Sequence, residues 1–217
     1  MKFLDFDRVL CLSPHPDDVE LGMLGTIMKY AATHFTVLCV TKGGTKCLQG
    51  RNARNRVEEV LGAWKVVDVP NVTVCFADCD YLTEKDGDSE WVNYIETEFL
   101  GASECDAICL PTKDDSMFEH RFVNGLGAPL ARHTALSLIE YRTPSTQASW
   151  QPNLFVNVED EYKKKVLALQ SFHSQKEKPY FSKKAIDSFH SNYQCAKKGH
   201  CVVEQFKVVE IYARINK

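Results

Sequence analysis

Neither sign of charge dominates this chain. Its 26 Lys and Arg stand against 29 Asp and Glu, a formal net charge of −3. That balance leaves no basic footprint for nucleic acid and no polybasic face for an anionic lipid surface, so neither is expected as a partner. Long apolar runs are missing as well. Nothing approaches the roughly 20 residues of a membrane-spanning helix, and the opening MKFLDFDRVLCLS mixes acids into its short apolar run, unlike a signal peptide. A cytoplasmic protein is the expectation. Cys-x-x-Cys pairs are absent although there are nine cysteines. An odd count without paired spacing reads as reduced thiols rather than a disulfide framework, and Cys11, Cys39, Cys75 and Cys109 lie in apolar runs where a thiol packs as a small hydrophobe. Cys195, His200 and Cys201 lack the second ligand pair of a zinc finger. The glycine spacing of a dinucleotide fold or a P-loop is not found, which leaves Gly43-Gly44 as a permissive loop. No repeat, low-complexity tract or linker divides the chain, and residues 1–217 read as one domain, large enough to bury a core unaided.

What the sequence does have is alternation. The strand-like runs RVLCLS, FTVLCVT, VTVCFA and AICLP are separated by the helical patterns ELGMLGTIMKYAAT, RNARNRVEEVLGAW and WVNYIETEFLG. Strands that alternate with helices, and that are apolar throughout rather than at every second residue, predict an α/β Rossmann-like fold. Its sheet is mostly parallel, with helices on both faces. Further on, TKDDSMFEHRFVNGLGAPLARHTALSLIEYR reads as an acidic loop leading into a helix rich in small residues. NLFVNV reads as a strand, DEYKKKVLALQSF as a helix and EQFKVVEIYARI as a closing strand. Between them, His173 to Cys201 is irregular and polar, which predicts a long loop or short helices near the mouth of a site.

The densest chemistry is in LCLSPHPDDVELGMLGTI, where His15, Asp17, Asp18 and Glu20 crowd the end of the first strand. Pro and Asp are good turn and helix-start residues, so an ordinary turn is one reading. The other places the cluster at the carboxyl edge of a parallel sheet, where such folds bind ligands. There His15 and Asp18 face one metal ion from the strand-to-helix turn, and His120, at the edge of a later strand, supplies a third ligand. Three protein ligands with one open position are the signature of catalytic zinc. Asp17 stays free as a general base toward water activated by that ion. His34 and His133 read as residues of helix surfaces or ends, and His190 and His200 as either irregular-region residues or neighbours of the substrate.

Together these segments resemble the zinc-dependent de-N-acetylase family that includes N-acetylglucosaminyl-phosphatidylinositol deacetylase and the deacetylases of mycothiol and bacillithiol synthesis. The resemblance rests on Pro14-His15-Pro16-Asp17-Asp18, with Glu20 one place beyond the usual acid, and on Arg56 with Glu59 as an Arg-x-x-Glu element. It continues through Asp80 in FADCDYL, LQSFHSQ and VVEQF, in order along nearly the whole chain. It implies a single Zn²⁺ held by His15, Asp18 and His120, with Asp17 as base. It also implies a substrate wall from Arg56, Asp80, His173, Ser174 and Gln175, and a small N-acetylated amino sugar or conjugate as the molecule acted on. Whether the chain forms a homo-oligomer stays open. One departure stands out: Met117 occupies the place of the family's oxyanion-stabilising His, and Met cannot donate a hydrogen bond. Either another group, such as His173 or Tyr193, donates instead, or the chain is a zinc-retaining sugar-binding protein with little turnover. Hydrolysis of a different acyl amide conjugate is a further alternative.

Overall fold

In the computed structural model, residues 1–44, 53–83, 87–100, 105–132, 136–197, 199 and 202–212 are described, except for the side chains of 53, 54, 193 and 194. The first strand, β1 (Arg8–Ser13), is apolar from Val9 to Leu12 because both of its faces are covered. Val9 and Cys11 join one core with Leu24 and Ile27 of α1 (Asp18–Lys29) and Trp64 of α2 (Ala53–Val67). Leu10 and Leu12 join a second core with Val92 and Ile95 of α3 (Asp88–Ile95) and Val123 of α4 (Phe118–Gly125). Each such side chain removed from water contributes roughly 1.5–3 kcal/mol, and this two-sided burial is why the strands show no polar alternation.

The remaining strands are β2 (His34–Cys39), β3 (Val72–Phe76), β4 (Ala107–Pro111), β5 (Ser137–Tyr141), β6 (Leu154–Asn157) and β7 (Val203–Glu210). They form a seven-stranded sheet in the order β3-β2-β1-β4-β5-β7-β6. From β3 to β5 every pairing is parallel, and β7 runs antiparallel to both β5 and β6. The chain steps outward from β1 through β2 to β3, then returns to lay β4 on the other side of β1. The crevice beyond the carboxyl ends of β1 and β4 is therefore the switch point, where open α/β sheets take their ligands. The short α5 (Gly127–Ala131) follows α4, α6 (Glu159–Leu169) packs against α1 and α2, and α7 (Lys183–His190) and α8 (Tyr193–Ala196) lie in the late polar segment.

The sequence reading differs from this architecture at two places. It carried a helix through ALSLIEYR, but α5 stops at Ala131 and Ser137–Tyr141 is a fully buried strand between β4 and β7. An apolar run this short satisfies either period, and the open place in the sheet decides it. His34, expected on a helix surface or end, instead opens β2 and is exposed.

Two contacts fix α1 over the sheet. At Gly22 a Cβ would sit 2.6 Å from the Tyr141 ring and 2.7 Å from the Arg142 carbonyl, so the helix approaches β5 only because no side chain is there. Near the other end of α1, Glu204 of β7 accepts from the Gly25 N–H at 2.8 Å and the Thr26 N–H at 2.6 Å. Lys165 of α6 donates to Glu204 at 2.6 Å and to the Leu21 carbonyl at 2.6 Å. Among the described residues, no helix is long and apolar enough to cross a membrane.

Candidate active site

β1 ends in Ser13, whose hydroxyl turns the chain by donating to the His15 carbonyl at 2.7 Å. The same oxygen accepts from the Val19 N–H at 3.3 Å, inside the first turn of α1. Within this turn the Asp18 carboxylate folds back to accept from the His15 N–H at 2.9 Å. Asp17 sits at φ 140°, a backbone region that costs a residue with a side chain roughly 1–3 kcal/mol and that persists where the surroundings enforce it.

From the neighbouring switch-point strand, the chain after β4 brings in His120 near the start of α4. Its Nε2 lies 3.2 Å from Asp18 Oδ2 and 3.3 Å from His15 Nδ1, while His15 Nδ1 lies 3.2 Å from the same Asp18 oxygen. One ligand atom from each of the three residues falls within 4.8 Å of the others. Two imidazole nitrogens and a carboxylate oxygen are a donor set suited to zinc. The electrostatics also fit a cation. Burial works against a charged imidazole, yet Asp18 and Asp115 raise the His120 pKa to about 10. Burial likewise opposes ionisation of Asp18, but His120 and His15 outweigh it and hold that carboxyl far below the usual range.

Asp115 is fully buried on the far side of His120, with Oδ2 3.0 Å from its Nδ1. The carboxylate also accepts from the Thr143 hydroxyl at 2.5 Å and the Met117 N–H at 2.8 Å. A carboxylate behind a ligating imidazole fixes its tautomer and leaves Nε2 as the lone-pair nitrogen. Reading the sequence missed Asp115. The signal was the Asp pair ahead of His120, where a short loop before a helix lets a side chain fold back onto the first turn.

Asp17 turns to Arg56 of α2, 3.1 Å from Oδ2 to Nη2, and Arg56 also donates to the Pro16 carbonyl at 2.5 Å. Burial pushes the Asp17 pKa up to about 7 against the pull of Arg56. Behind them Glu20 is buried beneath Trp64, whose indole N–H it accepts at 2.6 Å, and burial raises its pKa to about 7.

These groups open on a cavity of about 400 Å³. His15, Asp17, Asp18, His120, Arg56 and Gln175, all singled out from the sequence, line it. Ser174 stands one residue away, its N–H and hydroxyl held by Glu59 at 2.6 and 2.7 Å, and its oxygen accepts from Gln175 at 2.8 Å. Like Ser174, two more of the expected wall residues fall outside the lining. His173 is exposed and borders grooves along α6 and α2, because the 3-10 turn His173–Gln175 directs Gln175 inward instead. Asp80 is exposed and contributes its carbonyl to the Gly44 N–H, while its neighbours Tyr81 and Leu82 face the cavity. The side chain of Tyr193 lies outside the described residues, as do His133, His200 and Cys201. His190 is buried away from the cavity, its Nδ1 2.7 Å from the Ile186 carbonyl. Met117 does line the cavity, 40% exposed. Reading the sequence also missed Ser145, Lys178 and Tyr180 on the wall, since all three come from irregular segments with no period to orient them.

The chain is 28% identical over 193 residues to a diacetylchitobiose deacetylase of Thermococcus kodakarensis, with 80% of this chain and 72% of that protein covered. Among solved structures, N,N'-diacetylchitobiose deacetylase from Pyrococcus horikoshii, complexed with its inhibitor MPG, has a TM-score of 0.73. Its sequence identity is 20%, and the match covers 96% of this chain and 85% of that one. The 4-carboxy-2-hydroxymuconate hydratase of Pseudomonas putida KT2440 has a TM-score of 0.69 at 16% identity, covering 100% and 99%. At such identities the likeness shows a shared fold, and that fold carries more than one kind of chemistry. The family model PIG-L, GlcNAc-PI de-N-acetylase, matches residues 10–130, over half of the sequence, and the chain belongs to that family.

Proposed function

We propose that the protein is a hydrolase that removes the acetyl group from an N-acetylated amino sugar or its conjugate, with Zn²⁺ held by His15, Asp18 and His120. The observation that carries this reading is the convergence of those three ligand atoms at the switch point, inside a cavity that Asp17 also lines. Family membership and the deacetylase relative from Thermococcus kodakarensis support the acetamide as the bond broken. When bound, zinc supplies Lewis acidity to the amide carbonyl and to the attacking water.

The rest is the work of the chain. Arg56 engages Asp17 Oδ2, which leaves Oδ1 to take the proton from water as it attacks and to return it to the departing amine. A buried carboxyl held through one oxygen by a single guanidinium is placed for both halves of that transfer. The Tyr180 hydroxyl takes the place that Met117 cannot fill. It borders the cavity, where its hydroxyl donates to Gln175 Oε1 in a long bond of 3.4 Å that it can give up for the tetrahedral oxyanion, and burial together with Asp17 and Asp18 raises its pKa, which keeps it an O–H donor. Gln175 and Arg56 contribute polar groups to the wall against which the sugar lies.

Release of free amine from a panel of N-acetylated sugars, run alongside elemental analysis of the same preparation, tests the reading. Asp17→Asn is expected to retain the metal and lose about 100- to 10,000-fold in turnover. A variant that stays within a few-fold of the parent protein removes Asp17 from the mechanism.

A further inference from the structure

Gly43 and Gly44 line the cavity, yet no step of the proposed reaction uses them. They lie just beyond β2, in a loop whose backbone is held from both sides. Toward β1, the Thr41 N–H and hydroxyl donate to the Pro14 carbonyl at 3.2 and 2.8 Å. Toward β3, the Lys42 N–H donates to the Cys79 carbonyl and the Gly44 N–H to the Asp80 carbonyl, each at 2.7 Å. The Gly43 N–H closes the loop on Thr41 Oγ1 at 3.1 Å. A segment bonded in this way to two neighbouring strand ends is a fixed wall rather than a loose connection.

Gly43 is buried against the turn that carries His15 to Asp18, at φ 69°, in the left-handed region. A Cβ there would lie 2.8 Å from Pro16 Cδ, 3.2 Å from Arg56 Nε and 3.3 Å from Arg56 Cγ. The first is an overlap with a ring whose φ is fixed. The other two press on the side chain that bonds both the Pro16 carbonyl, at 2.5 Å, and Asp17 Oδ2, at 3.1 Å. Pro16, Arg56 and Asp17 form one closed unit, and Gly43 meets two of its three members. Those bonds hold the Nη2 end of the guanidinium. Its Nε is buried with no hydrogen-bond partner among the described residues, so at that end contact with the Gly43 backbone limits where the fork can go. Asp17 has no other ion pair among the described residues, and its φ of 140° makes it depend on its surroundings.

We propose that Gly43 is a positioning residue for the general base. Because it has no side chain, Pro16 and Arg56 close against the loop after β2, and through them Gly43 fixes where Asp17 Oδ1 points. This rests on the reading of Asp17 as the base of a deacetylase. Such placement matters to rate, since a displacement of about 1 Å costs on the order of 100-fold.

The test uses the zinc-loaded protein and 4-nitrophenyl N-acetyl-β-glucosaminide, with amine release as the signal. Gly43→Ala is expected to lower kcat by roughly 10- to 100-fold, with KM within about threefold of the parent protein and the zinc retained. Ala is also strained at positive φ, so Gly43→Asn is the second variant: Asn accepts that backbone more readily but carries the same Cβ. Both variants should lose rate. If only Gly43→Ala does, backbone strain is the cause and the proposal is overturned. In an Asp17→Asn background Gly43→Ala should lower kcat no further, because the group it positions is already gone. Losses that multiply, or a change in KM alone, place the action of Gly43 elsewhere and overturn the proposal while the deacetylase stands. If the parent protein releases no amine, the deacetylase reading falls and the contact is read by NMR. In isotope-labelled protein the buried Arg56 Nε–H gives a signal slow to exchange with solvent, assigned by its loss in Arg56→Lys. A signal that shifts or becomes exposed to exchange in both Gly43 variants, with the backbone amide spectrum otherwise kept, retains Gly43 as the support of Arg56 against Asp17. A signal unmoved in both rejects that role as well.

Discussion

Two clusters of buried charge lie along α1, and they are finished differently. Toward its C-terminal half, Lys165 and Glu204 are both fully buried and 2.6 Å apart, and around them the backbone N–H groups of Gly25 and Thr26 and the Leu21 carbonyl are all engaged. At its N-terminus the same helix meets Asp17, Asp18, His15, His120 and Arg56. Here Arg56 Nε and Glu20 Oε2 are buried without a partner among the described residues, Asp17 has a strained backbone, and a cavity opens over the group. Burying ions costs several kcal/mol each in either place. In the closed cluster that cost is offset within the fold, so the cluster secures α1 against α6 and β7 and does nothing else. In the open cluster part of the compensation is left for something that arrives from outside, which is what distinguishes a site from a clamp.

Removing one partner should therefore act on different properties at the two ends. Lys165→Met strips the cation from a closed pair and leaves the Glu204 carboxylate buried, a loss of about 3–5 kcal/mol of stability. For a chain of this size that is a fall of roughly 6 to 20 °C in melting temperature, read by circular dichroism. Lys165→Met combined with Glu204→Gln should recover part of the loss, because no unpaired charge then remains. A single variant that melts with the parent protein would show that the pair is not a clamp, and the contrast would collapse.

The next largest effect falls on the open end. Tyr180→Phe removes the hydroxyl assigned to the oxyanion and is expected to cost about 100- to 1,000-fold in kcat with little change in melting temperature. Met117→His in that background offers a donor from another residue of the lining and should restore part of the rate. If Tyr180→Phe turns over like the parent protein, the donor lies elsewhere and Met117→His should then have no rate to recover.

Much of this was legible in the sequence because periodicity and motif order carry it. The continuous apolar runs gave a parallel sheet buried on both faces, and the helix start after β1 placed His15, Asp17 and Asp18 in one turn. His120 could be paired with them only through the strand order, since parallel β1 and β4 put both loops at one edge. What stayed hidden depends on long-range packing. Ser137–Tyr141 became a strand because the sheet had a place for it between β4 and β7. His173 turned outward because a 3-10 turn rotated Gln175 inward. Tyr180 comes from a segment whose local pattern says nothing about which cavity it meets. The same holds for Glu204, an acid in an otherwise strand-like run, whose partner Lys165 is 39 residues away.

The finest test of the comparison is Asp115, which has features of both ends. Like Glu204 it is fully buried and fully bonded, accepting from the Met117 N–H, the Thr143 hydroxyl and His120. Like Asp17 it belongs to the open cluster, since its bond to His120 Nδ1 sets which nitrogen faces Asp18 and His15. Asp115→Asn keeps the shape but removes the charge that makes the imidazole a better ligand. If Asp115 acts through His120, the variant should bind zinc about 10- to 100-fold more weakly in chelator competition, with the melting temperature of the metal-free protein little changed. If it is a clamp, the metal-free protein should melt far lower while zinc affinity per folded molecule stays as it was. The first result is expected. Thr143 and the Met117 N–H can still hold an amide in place, whereas among the described residues no other negative charge bonds Nδ1: its other neighbour is the Ser145 hydroxyl at 3.3 Å, which supplies a weaker, neutral contact.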